Sequence, residues 1–161
     1  MATHAERRLL PYSPEQLFDL VAAIDRYPEF LPWCVAARIR ERQENVLIGD
    51  LVIGFKMIRE RFTSKVTLDR ARRIDVVYLS GPMHYLNNHW TFTAVPSSPE
   101  HPGGGTMIDF YVDFEFRSRL LQSLIGVLFH EAVKRMVAAF EARARQLYGA
   151  PAGAPASPRP A

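Results

Sequence analysis

Between Met107 and Arg117 the chain alternates without a break. Ile108, Phe110, Val112, Phe114 and Phe116 fall on one side of an extended strand, and Asp109, Tyr111, Asp113, Glu115 and Arg117 on the other. A period of two predicts a strand with one dry face and one wet face. The same pattern sets Phe62, Ser64, Val66 and Leu68 against Arg61, Thr63, Lys65 and Thr67, and Trp90, Phe92 and Ala94 against His89, Thr91 and Thr93. Shorter runs at Trp33–Ile39, Val46–Phe55 and Ile74–Leu79, with an edge strand in the first residues, bring the expectation to about seven strands. Turn residues separate them and no helix intervenes, which predicts an antiparallel sheet.

A dry face so aromatic and branched needs a cover, and one long element is available to supply it. The chain from Ser118 to Tyr148 reads as a helix of roughly 45 Å, stopped by Gly149. In its C-terminal half Val133, Met136, Val137, Phe140, Ala144 and Leu147 form a single stripe. In its N-terminal half Leu120, Leu121, Leu124, Ile125, Val127, Leu128 and Phe129 cover most of the circumference, so this half has apolar surface on two sides. A shorter helix starts near Ser13, where Pro14 and Gln16 complete a capping box, and Tyr27-Pro28 is expected to end it. The order defines an α+β fold in which a curved antiparallel sheet wraps the C-terminal helix. A helix 10 to 12 Å wide is narrow beside seven strands spaced about 4.8 Å apart, so inward side chains face a void, a ligand or each other. By spacing alone the commonest outcome is that the aromatics fill the space.

At 161 residues roughly 70% of the unfolded surface can be buried in one core. The lone Cys34 excludes a disulfide framework and suits a reducing cytosol. We set the domain at 1–148 and read 149–161, with four prolines, two glycines and no bulky apolar residue, as a flexible tail. The balance of +3 is scattered, which permits nucleic-acid binding without indicating it, and no DNA partner is expected. No apolar run reaches the length of a bilayer span, and Glu6, Arg7 and Arg8 interrupt any leader, so the expected location is cytoplasmic.

Motifs of catalysis fail on inspection. His130-Glu131 begins a zinc-protease helix, but Lys134 stands where the second His is needed. His84 and His89 fall on opposite strand faces, and Gly103-Gly104-Gly105 reads as a hairpin connection. Cys34 has no identifiable base, and Asp109, Asp113 and Glu115 form a solvated row. No catalytic residue, metal or cofactor is expected.

Tyr27 to Cys34 (Tyr-Pro-Glu-Phe-Leu-Pro-Trp-Cys) is a rigid, aromatic-rich loop. Together with Arg59-Glu60-Arg61-Phe62-Thr63-Ser64-Lys65-Val66, Gly81-Pro82, Trp90-Thr91-Phe92, Phe114-Glu115-Phe116-Arg117-Ser118 and Phe140-Glu141-Ala142-Arg143, it resembles the coenzyme Q-binding, START-like family of polyketide cyclase and lipid-transport proteins. That family includes ubiquinone-binding mitochondrial proteins and a bacterial ribosome-association toxin. Met83 is a departure, since related sequences commonly carry Phe after Gly-Pro.

The resemblance implies a helix-grip (START/Bet v 1-like) fold over a hydrophobic tunnel, and non-enzymatic binding and delivery of a polyprenyl quinone or similar lipid. Such delivery serves respiration or quinone biosynthesis and brings transient contact with a membrane surface, the inner membrane. On this reading Phe62, Val66, Trp90, Phe92, Phe110, Val112 and Phe114 form the sheet wall, and Leu124, Leu128 and Phe129 the helix wall. Phe30, Leu31 and Met83 lie near the entrance, and Ser64 offers a hydrogen bond to a quinone carbonyl or to its own backbone. Two rivals share the fold. A ribosome-binding toxin needs an exposed basic patch, for which Arg38, Arg40 and Arg42 on one strand face, with Arg72 and Arg73, are candidates. A cyclase-like enzyme needs converging buried polar groups, of which the sequence offers few.

Overall fold

The computed structural model describes residues 2–55 and 58–149. Seven strands, β1 (Ala2–Leu10), β2 (Cys34–Arg42), β3 (Val46–Phe55), β4 (Ile58–Asp69), β5 (Arg73–Ser80), β6 (Met83–Val95) and β7 (Gly105–Phe116), form one sheet. Its order is β1-β7-β6-β5-β4-β3-β2, and every pairing is antiparallel. From β2 to β7 each strand pairs with the next in sequence, and β1 then closes onto β7. The residues expected on one dry face share one face: Trp90 pairs with Phe110, Phe92 with Ile108, and Leu86 with Phe114.

Two helices sit on the concave side. Helix α1 (Pro14–Ala22) opens with the expected capping box, in which the Gln16 amide donates to Ser13 Oγ at 3.1 Å and the Ser13 amide donates to Gln16 Oε1 at 3.0 Å. A Ser13→Ala variant should lose about 0.5–2 kcal/mol in urea-unfolding measurements, with an unchanged slope, because one helix-end donor is stranded. Helix α2 (Arg119–Tyr148) is capped by the Ser118 side chain and stops at Gly149, whose φ of 77° a side chain would strain. The expected tail falls, beyond Gly149, outside the described residues.

Tyr27-Pro28 does not end α1. That helix stops at Ala22, and both residues sit in a following 3-10 helix, Ile24–Glu29. The buried Tyr27 hydroxyl donates back to the Val21 carbonyl, taking one of the acceptors that the end of α1 leaves open. The two helix ends are then tied together: Tyr12 Oη donates to the Gly149 carbonyl and Tyr148 Oη to the Gln16 carbonyl, each at 2.9 Å, while the fully buried Thr106 hydroxyl donates to the Tyr12 carbonyl at 2.7 Å.

The wet face carries its charges in pairs. Arg7 Nε bonds Asp109 at 2.8 Å, Thr3 Oγ1 donates to Asp113 at 2.9 Å, and His89 stacks on Tyr111. The row expected from Arg38, Arg40 and Arg42 is broken, however. A register shift between Ile39 and Glu41 sets Arg42 opposite Leu47, a buried residue of the concave side, while Arg38 stays opposite the outward Asp50.

Candidate functional site

Helix α2 packs against β1, β7 and α1. Facing the rest of the sheet, it leaves a cavity of about 570 Å³. Alternation decides what lines it. Leu51 and Ile53 of β3, Phe62, Ser64 and Val66 of β4, Ile74 and Val76 of β5, and Phe110, Val112, Phe114 and Phe116 of β7 point inward. Leu121, Ile125, Leu128, Phe129, Val133 and Met136 return from α2, and Val21, Ile24, Tyr27 and Leu31 close one end. Exposed Pro32, Glu131 and Arg135, with half-buried Glu60, mark the polar rim.

At about 570 Å³ the hollow is too large for its own side chains to close, and its lining forgoes the dispersion contacts that a filled core makes. Water is a poor filler, because each ordered molecule wants two to four polar partners and this wall offers few. The volume lies in the range of small-molecule sites, about 300–1,000 Å³.

Of the polar groups on the wall, Asn88 Nδ2 donates to the Tyr111 carbonyl at 2.9 Å, and the Tyr27 hydroxyl is held by Val21. Burial pushes the Tyr27 phenol up, so it stays neutral. Ser64 differs: it is 5% exposed and its Oγ has no partner among the described residues. The backbone bond that the sequence left open is not made. A stranded buried hydroxyl costs about 1–3 kcal/mol, which a ligand carbonyl or hydroxyl at this point would recover.

Among the residues expected at the site, Leu31, Phe62, Ser64, Val66, Met83, Trp90, Phe110, Val112, Phe114, Leu128 and Phe129 all line the cavity. Three do not. Phe92 lies farther along β6, where α1 covers the sheet, and its ring meets Phe18 edge-on at 5.5 Å. Phe30 packs on Tyr27 and Phe140 beneath the Arg143 guanidinium, 5.2 Å from its ring centre. Leu124 is not among the lining residues, although Leu121 and Leu128, one turn away on either side along the same face of α2, are.

Cys34, 4% exposed, stands beside the end formed by Tyr27 and Leu31. Burial pushes its thiol up to about 11, against a weaker downward pull from the Ala36 backbone. The folded state thus favours the protonated thiol. Its contribution to stability is present below the ordinary thiol value and is lost as pH rises towards about 11. At pH 8 iodoacetamide should label the folded protein at least roughly tenfold more slowly than the urea-unfolded chain; equal rates would mean an accessible thiolate. Among the described residues no three His, Cys, Asp or Glu side chains are grouped to hold a metal, and no helix is long and apolar enough to cross a membrane.

A curved antiparallel sheet gripping a C-terminal helix over an apolar hollow defines a START-like, helix-grip protein. The chain belongs to the polyketide cyclase/dehydrase and lipid transport family, whose sequence signature matches residues 10–141. It is 40% identical over 151 residues to the ribosome association toxin RatA of Rickettsia prowazekii (strain Madrid E), a match covering 91% of this chain and 99% of that one. It is 34% identical over 147 residues to the mitochondrial coenzyme Q-binding protein COQ10 homolog B of Xenopus laevis, covering 91% of this chain but 59% of the longer relative. Among solved structures, the 18 kDa protein CC1736 of Caulobacter crescentus superposes with a TM-score of 0.73 at 36% identity, over 93% of this chain and 100% of that one.

Proposed function

We propose that this protein is a non-enzymatic carrier that takes the tail of a polyprenyl quinone, or a lipid of similar shape, into the cavity between sheet and helix and delivers it for respiration or quinone biosynthesis. The observation that carries this reading is the apolar hollow of about 570 Å³, with the unpartnered Ser64 hydroxyl on its wall. Each buried CH₂ contributes about 0.8 kcal/mol, so a five-carbon isoprene unit brings at most roughly 3–4 kcal/mol. A bilayer solvates the same tail nearly as well, so a modest preference and an open rim suffice for exchange. The name of the Xenopus relative, a coenzyme Q-binding protein, supports the ligand class. Against an enzyme stands the chemistry of the wall. Its titratable groups among the described residues are the committed Tyr27 phenol and the rim residues Glu60, Glu131 and Arg135, so no acid-base pair converges inside. The test is solvent extraction of the purified protein followed by mass spectrometry. A stoichiometric prenyl quinone is expected; a lipid-free protein that also fails to bind a short-chain ubiquinone in titration overturns the reading.

A second reading, ribosome association, is supported by the match to the Rickettsia toxin over 99% of that relative's length. It calls for co-sedimentation with ribosomes that weakens steeply with salt.

A further inference from the structure

We propose that the convex face of β2, β3 and β4 is a docking surface for the phosphate backbone of a structured RNA. Paired residues in an antiparallel ladder point to the same side, so the outer rows follow from the register. Arg38 stands opposite Asp50, Asp50 opposite Thr63, Val52 opposite Arg61, Gly54 opposite Arg59 and Ile48 opposite Lys65. Arg38, Arg59, Arg61 and Lys65 are exposed; the side chains of Arg59, Arg61 and Lys65 make no hydrogen bond or ion pair with a described residue, and Arg38 acts on Asp50 through space. Arg40 joins them from the bulge.

The carboxylate inside the patch is neutralised. Asp50, 5% exposed, is held by Arg40 Nε at 2.6 Å and by the Thr63 hydroxyl at 2.5 Å, and Glu41 stands only at the border, opposite Ile48. Acidic residues stand at the ends of the same face: Asp109 and Asp113 on β7 are bonded to Arg7 and Thr3, Asp75 on β5 is bonded to Arg73, and Asp69 closes β4 beyond Lys65 and Thr67. The convex face is therefore electrically polarised, with positive charge gathered on β2 and β4, either side of β3.

Spacing gives the patch its scale. Alternate residues on a strand lie about 6.8 Å apart and neighbouring strands about 4.8 Å, so the cations cover roughly 10 by 20 Å, enough for several phosphates. No helix stands on this face to enter a groove, so it reads backbone and shape, as suits the shallow face of an A-form duplex. The two most exposed large apolar side chains, Leu120 at 79% and Val127 at 83%, lie on α2, across the sheet from the cations, while on the convex face Val77, opposite Lys65, and Leu79 of β5 are about half exposed; vesicles are therefore the second arm of the test.

This inference rests on the ribosome-association reading and is independent of what fills the cavity. Its test titrates the protein with a fluorescent RNA hairpin, and separately with phosphatidylglycerol vesicles, between about 50 and about 200 mM salt. A double variant, Arg61→Ala with Lys65→Ala, removes two cations that hold no structural partner. Its RNA affinity should fall about tenfold or more at the lower salt, and the slope of log affinity against log salt should shrink by about 2. Arg145→Ala, an exposed cation near the end of α2, should change neither. Undiminished RNA binding by the double variant, equal loss in the control, or a defect seen only with vesicles overturns the proposal. Ribosome co-sedimentation separates the failures. If wild type and double variant sediment alike, ribosome association stands and the surface is wrong; if wild type neither sediments nor binds the hairpin, both fall.

Discussion

Leu128→Asp should emerge from purification with its lipid content reduced more than tenfold, yet with an unchanged far-ultraviolet circular dichroism spectrum. Leu128 lines the cavity from α2 and is only half-buried. In the vacant protein an aspartate there is reached by water through the rim, so the helix pays little beyond an intrinsic propensity loss of roughly 0.7 kcal/mol. Against a hydrocarbon tail the same carboxylate must be stripped of water or neutralised, at several kcal/mol, and every 1.4 kcal/mol is tenfold in affinity. Leu128→Met, which keeps volume and polarity, should retain the lipid. Extraction and mass spectrometry on the three proteins decides the matter: wild-type stoichiometry in the aspartate variant would remove Leu128 from the wall and weaken the carrier reading.

The largest loss of stability is expected away from the hollow, at Phe18→Ala. Phe18 is 2% exposed and packs edge-on against Phe92 where α1 covers the sheet. Truncating a filled aromatic site costs about 3–5 kcal/mol, a large part of a net stability of about 5–15 kcal/mol. Phe62→Ala, on the cavity wall, should cost less than half as much, since its ring already faces open volume and its removal strands fewer contacts. Urea unfolding of delipidated protein measures both, because bound ligand would add its own stabilisation to the folded state. Equal losses at the two positions would mean that the wall is packed as tightly as the core.

How far the sequence could be read depended on contrast between neighbouring positions. In β7 the inward apolar residues from Phe110 onward alternate with polar ones, so strand, face and three wall residues, Phe110, Val112 and Phe114, were legible together, and Phe116 only as part of the dry face. In β3 the outward Val46, Ile48 and Val52 are as apolar as the inward Leu47, Leu51 and Ile53, so periodicity carries no facing information and Leu51 and Ile53 went unrecognised. Phe92 obeys the alternation and still misses the cavity: which stretch of a dry face meets α1 and which meets empty space is a tertiary fact. Pro28 marked a boundary, but a 3-10 turn tolerates it where an α-helix does not. The arginine row failed for a third reason, since a single bulged residue inverts every later position on β2. The cations of β4 needed no such correction; their outward facing was readable, but not that Asp50 spends itself on Arg40 and leaves them unpaired.

The pairing of β1 with β7 joins Ala2 to Phe114 and Leu10 to Thr106. β1 is therefore made well before its partner and waits until about a hundred residues have followed, and the helix that shields the sheet arrives later still. Until then the nascent chain holds a sticky, half-shaded trough, so this topology should fold slowly and lean on chaperones while it leaves the exit tunnel.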